Sequence, residues 1–199
     1  MKLGRLMILF SLLGYSFDGF AIAAEQPYVA VQKLYREVVA RRPLGIPKNA
    51  DKAAIWPFLS HSLTQRLEAA QACEADYLRH HSDDGKPEYA WLEFGLFSGS
   101  NEEAIPASAT VQRTEPQPDG SFRVYVRLTY KESFETHGQS PNPVNSFRWQ
   151  VAAVVIKEKG RFVVDDILFF KEHTSKLQSR LSQILTQGCE GRRWVGNRA

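Results

Sequence analysis

Residues 147–170 read FRWQVAAVVIKEKGRFVVDDILFF, two long runs of β-branched and aromatic residues separated by Lys157-Glu158-Lys159-Gly160. Glycine at 160 takes the positive φ that a tight loop needs, so the stretch predicts a β-hairpin. Alternation puts Phe147, Trp149, Val151, Ala153 and Val155 on one face of the first strand and Arg148, Gln150, Ala152, Val154 and Ile156 on the other. In the second strand, strict alternation groups Phe162, Val164, Asp166, Leu168 and Phe170 against Val163, Asp165, Ile167 and Phe169. Both strands are largely apolar on both sides, which calls for helices over one face and a closed interior or a pocket on the other.

Moving toward the N-terminus, Phe122 to Tyr130 predicts a strand with Phe122, Val124, Val126, Leu128 and Tyr130 on its core face and Arg123, Tyr125, Arg127 and Thr129 opposite. Ala109 to Thr114 predicts a short strand joined to it through a turn at Pro116 to Gly120, and Ser133 to Ser146 an exposed loop. Tyr89 to Ser98 is rich in large apolar residues without a period and reads as an extended crossing that plugs the core. Upstream, Pro27 opens a helix whose stripe is Val31, Leu34, Tyr35, Val38 and Val39, ending at Arg41-Arg42-Pro43. Asn49 or Asp51 caps a short helical turn. Pro57 marks the start of a longer helix lined by Leu59, Leu63, Leu67, Ala70 and Tyr77, with Cys73 at the margin of that face. Downstream, Leu177, Leu181, Ile184 and Leu185 predict a C-terminal helix over Ser175 to Gln187, stopped by Gly188.

The first residues carry Lys2 and Arg5, then an apolar run from Leu6 to Leu13, then Ala21-Ile22-Ala23 before Glu25. That order predicts a secretory signal peptide over residues 1–24, and Asp18 breaks the apolar stretch well short of a membrane span. Removing 24 of the 199 residues leaves 175, residues 25–199, which suits one domain with a sizeable core. The cut takes Lys2, Arg5 and Asp18, leaving 23 basic and 21 acidic residues, or +2. That balance gives no electrostatic footprint for nucleic acid or an anionic membrane.

Two cysteines, Cys73 and Cys189, stand in a chain that folds in an oxidising compartment if the signal acts. Such a compartment favours their pairing over two separate buried thiols, and the loop closed is worth about 4–5 kcal/mol in the chain-entropy model. C-x-x-C is absent, so neither redox chemistry nor a zinc site has support, and no cofactor motif is present.

Helices first, then an antiparallel sheet whose last hairpin carries Arg161-Phe-Val-Val-Asp-Asp-Ile-Leu168, resemble the nuclear transport factor 2-like superfamily. The resemblance implies an α+β fold in which N-terminal helices pack on a strongly curved, cone-like sheet. Lys86 to Ser98, KPEYAWLEFGLFS, is similar to a segment of secreted bacterial members that carry no assigned function. A shared fold leaves chemistry open.

A cone places one sheet face around a pocket, where Tyr125, Trp149 and either Asp165 or Asp166 are the residues to look for. An aspartate buried beside aromatics acquires a raised pKa and can serve as a general base, as in isomerases and dehydratases of this superfamily. The competing reading, which the absence of a neighbouring histidine favours, has the aspartate bonding a strand or helix end and the aromatics filling core. Arg123, Arg127 and Arg148 either form a basic wall for an anionic ligand or pair with Glu132 and Glu135 on a solvated face, the second being the ordinary arrangement. His80 and His81 are adjacent rather than a helical histidine pair at i and i+4, and with Asp83-Asp84 they read as a solvated helix end; no metal site follows. Ser98 does not sit in G-x-S-x-G, and no triad assembles.

These residues favour a secreted or periplasmic, non-enzymatic binding protein for a small apolar molecule or an envelope protein partner. Two alternatives follow from the same residues. One is an isomerase, dehydratase or hydrolase using Asp165 or Asp166. The other is an inhibitor or immunity protein acting on an envelope enzyme through its loops.

Overall fold

The computed structural model describes residues 26–81, 94–101, 104–131, 146–171 and 174–196. The expected signal peptide, most of the loop at 133–146, the first part of the crossing at 89–98 and the acidic pair Asp83-Asp84 lie outside them. The fold is α+β. Three N-terminal helices, α1 (Pro27–Arg41), α2 (Asn49–Ile55) and α3 (His61–His80), precede a five-stranded antiparallel sheet. Its strands are β3 (Ser108–Pro116), β4 (Phe122–Lys131), β5 (Ser146–Glu158), β6 (Arg161–Phe170) and β7 (Leu177–Arg180), in that spatial order. No described helix is long and apolar enough to cross a membrane.

Helix α1 forms as its stripe dictates: Val31, Leu34, Tyr35 and Val38 are buried, and Val39 sits at the rim. It lies across β3, β4, β5 and β6. Helix α2 begins at Asn49 without a side-chain cap; Asp51 instead pairs with Arg41 at 3.2 Å. Helix α3 starts four residues later than Pro57. The proline sits in a 3₁₀ turn, Trp56–Phe58, and Ser60 is the N-cap, its Oγ accepting the Leu63 N–H at 2.9 Å. Cys73 is fully buried rather than marginal.

The crossing before the sheet is a tight turn where it is described. Two-residue strands β1 (Phe94–Gly95) and β2 (Ser100–Asn101) pair around Leu96–Gly99, and Leu96 and Phe97 plug the core. Tyr35 Oη donates to the Phe97 carbonyl at 2.8 Å, and burial pushes this phenol's pKa well above its usual value.

The β5–β6 hairpin closes through Lys159 and Gly160, at φ 50° and 84°, with Glu158 opposite Arg161. Two positive φ values in a two-residue loop suit the right-handed twist of the strands, and glycine makes the second one free of strain. Along β5 the alternation holds: Val151, Ala153 and Val155 enter the main core with Trp149. Along β6 it does not. The register jumps between Val154–Asp166 and Val155–Val164, leaving Asp165 as the extra residue of a β-bulge. Phe162 and Val164 therefore share the helix side with Ile167 and Phe169, while Leu168 and Phe170 face away with Tyr125 and Ala152.

The predicted C-terminal helix is corrected. Leu177–Arg180 is strand β7, which pairs with the end of β6, and only Leu181–Ile184 makes a helical turn, α4. Leu181, Ile184 and Leu185 are buried, but Leu177 is 43% exposed, so the i, i+4, i+7 pattern spans two kinds of structure. Beyond it a small hairpin of β8 (Cys189–Glu190) and β9 (Arg193–Trp194) docks on α3. Its anchors are the Cys73–Cys189 disulfide, with Cα atoms 6.1 Å apart, a bond from the Trp194 N–H to Asp76 and an edge-on Tyr77–Trp194 contact.

Candidate functional site

Strand β5 outruns its neighbour. Its partnership with β4 continues to Lys131–Ser146, whereas pairing with β6 begins only at Val151–Phe169. Residues 146–150 are therefore bound to the sheet on one side alone. Beside this free edge opens a cleft of about 870 Å³, bounded by the Leu96–Gly99 turn and by the chain leaving β6. Trp149 forms one wall, its Nε1–H donating to the Ser98 carbonyl at 2.7 Å. Phe147 stacks obliquely on Trp149 at 5.5 Å and on Tyr130 at 5.0 Å, yet remains 45% exposed. Phe94 and Phe170 add apolar surface, and Arg127, Arg148 and Lys171 bring three cations. None of the described lining residues is acidic, and these cations form no ion pair among the described residues.

The sheet face turned from α1 is basic around an apolar centre. Register places Arg113 beside Tyr125 and Arg180 beside Leu168, so Arg113, Arg123, Arg127, Arg148 and Arg180 share that face against Glu115 and Asp166. Tyr125 is buried within it: its ring stacks on Phe170, the Arg113 guanidinium lies 3.6 Å above it, and its Oη donates to Glu115 at 3.0 Å. The bond from Arg113 holds the Glu115 carboxyl below its ordinary range. Pairing of the arginines with Glu132 and Glu135 falls outside the described residues.

The two aspartates hold the fold together in different places. Asp165 accepts the Ser60 hydroxyl at 2.6 Å on the helix side. Asp166, 6% exposed, accepts its neighbour Ile167 N–H at 2.9 Å, Ser182 N–H at 3.0 Å and Ser182 Oγ–H at 2.7 Å, and so fastens the start of α4 to β6. Five candidates from the sequence therefore occupy four places: Arg148 and Trp149 line the cleft, Tyr125 lies under Arg113, Asp165 meets the start of α3 and Asp166 the start of α4. Lys171, Phe170 and Phe94 are cleft residues that sequence reasoning missed. The abrupt change from Phe169-Phe170 to Lys171 at the end of a strand was the available signal.

Elsewhere, His80 Nδ1 lies 2.9 Å from the Asp76 carbonyl in the last turn of α3, and His81, the C-cap, stacks on Tyr77 at 4.3 Å. Among the described residues no three His, Cys, Asp or Glu side chains cluster as metal ligands. Ser98 Oγ lies 2.6 Å from Ser100 Oγ in the plug. A second groove, about 600 Å³, runs between Tyr35 and Val39 of α1 and Ala109 and Val111 of β3.

No family model, curated protein or solved structure matches the chain.

Proposed function

We propose that the chain is a secreted, non-enzymatic binding protein of the cell envelope, and that the cleft at the free end of β5 is its binding site. The carrying observation is the cleft's lining: three cations and four aromatic rings, with no carboxylate among the described residues. Such a surface favours an amphipathic anion, because stacking and charge attraction act on opposite sides of one ligand. The aspartates that a catalytic reading needs are already committed to Ser60 and Ser182, which supports binding over chemistry. Secretion is supported by the Lys2 to Ala24 pattern together with the Cys73–Cys189 bond. We further propose a cone of the nuclear transport factor 2-like kind, supported by helices preceding a five-stranded antiparallel sheet that α1 crosses.

The test is a titration of the mature chain with anilinonaphthalene sulfonate, an amphipathic aromatic anion, followed by its own fluorescence and by tryptophan quenching. Saturable binding that weakens in Arg148→Glu and Trp149→Ala supports the cleft. Absence of binding, or binding indifferent to both substitutions, sinks it.

A further inference from the structure

We infer that the natural occupant of this cleft is an extended acidic segment of a partner protein, added as a strand along residues 146–150 of β5; this rests on the binding role proposed for the cleft and names its partner. The backbone supplies the first argument. On the free side of 146–150, N–H and C=O groups of alternate residues have no strand partner among the described residues, over about 17 Å at ~3.4 Å per residue. An open edge of this kind is a template for a further strand.

The other long edge of the sheet is defended. Strand β3 carries a bulge at Gln112 and ends on Pro116, both of which discourage addition. The stretch Ser146-Phe-Arg-Trp-Gln150 has neither proline nor bulge.

Side chains supply the second argument, and they fix a pattern. A strand laid beside β5 presents alternate residues to its two faces. Those on the helix side lie next to Phe147 and Trp149; those on the far side lie next to Arg148, and Arg127, the register partner of Gln150, lines the cleft from the same face. The matching segment therefore alternates apolar and acidic residues. A slip of one position puts every carboxylate against the aromatic wall, so order matters as well as composition.

The measurement uses the mature chain and four capped hexapeptides, monitored by calorimetry: Glu and Val alternating, the same residues as three Glu followed by three Val, and two versions of the alternating peptide, each N-methylated on one of the two sets of alternate amides. The alternating peptide is expected to bind at least tenfold tighter than the block-order peptide, to weaken as salt rises, and to lose at least tenfold in the Arg148→Glu/Lys171→Glu double variant, whose two positions are exposed. N-methylation on one set of amides, but not on the other, abolishes binding. Equal binding by alternating and block peptides, or indifference to N-methylation on both sets, overturns strand addition. If anilinonaphthalene sulfonate binds the cleft and no peptide does, the strand inference falls while the cleft stands. If neither binds, both fall.

Discussion

Ser60 Oγ donates to Asp165 at 2.6 Å while accepting the Leu63 N–H at 2.9 Å, so one hydroxyl caps α3 and binds it to the bulge of β6. Glu158, at the end of β5, accepts the neighbouring His61 N–H at 3.2 Å. Two carboxylates thus meet the N-terminus of a 20-residue helix, the end where its dipole favours negative charge. The Ser60 N–H also donates to the Val164 carbonyl at 2.8 Å, so backbone and side chain hold the same junction.

Ser60→Ala removes the cap of a fully buried serine and is expected to cost about 1–2 kcal/mol. Urea unfolding measures it. Asp165→Asn keeps an acceptor and loses less. An unchanged midpoint in Ser60→Ala means that the hydroxyl does not cap the helix.

This junction also explains where sequence reasoning stopped. The hairpin, the core face of β4, the α1 stripe and the cysteine pair were legible because each follows from local period or composition. The bulge at Asp165 was not, since nothing in Val163-Val164-Asp165-Asp166 announces the extra residue; it exists because the Leu59–Ser60 segment bridges to Val164 and Asp165 must reach Ser60. The supposed C-terminal helix failed for a related reason. Pairing of Leu177–Arg180 with Leu168–Phe170 closes a sheet edge, and that tertiary gain outweighs a four-residue apolar period. The cleft was half visible. The sequence points to Arg148 and Trp149, but that they share a cleft depends on β6 stopping at Phe170 while β5 continues.

Asp166→Ala leaves two Ser182 donors without their acceptor in a largely buried place, with an expected cost of about 2–3 kcal/mol. Ser182→Ala is expected to cost less, because the Ser182 N–H bond survives. If Asp166→Ala instead abolishes an activity while leaving the unfolding midpoint untouched, the structural role given to Asp166 is wrong.

Trp149 is half buried, and its indole N–H meets the carbonyl of buried Ser98. Trp149→Phe keeps most of the ring and is expected to cost about 1 kcal/mol, the value of one hydrogen bond. Trp149→Ala is expected to cost about 2–3 kcal/mol, less than a fully buried tryptophan would. A loss of 4 kcal/mol or more by the scale of such truncations would make Trp149 core rather than cleft wall.

The Cys73–Cys189 bond spans 116 residues of chain, and the chain-entropy model assigns such a closure about 4–5 kcal/mol. Reductant is expected to lower the melting temperature of the parent protein and to leave Cys73→Ser unchanged. Equal melting of the parent with and without reductant removes the bond from the account.

The C-terminal hairpin should loosen in acid. Its Trp194 N–H is the first cause, and Arg79 the second, of the depressed pKa of the Asp76 carboxyl. A carboxyl whose folded pKa lies below its unfolded value contributes stability that is fully present above the unfolded pKa, about 3.9 for aspartate, and is lost as pH falls through the folded one. The contribution is therefore constant through neutrality and begins to fall below roughly pH 4. Asp76 lies in α3 and Trp194 in β9, joined otherwise by the disulfide and the Tyr77 ring, so the loss should be local rather than global. Hydrogen exchange at the Trp194 amide across pH 2–6, corrected for intrinsic rates, reads it out: protection falls on acidification in the parent and is flat in Asp76→Asn, which keeps an acceptor but no titrating carboxyl. Protection that stays constant through pH 3 in the parent, or that retains its pH dependence in Asp76→Asn, would place the anchor elsewhere.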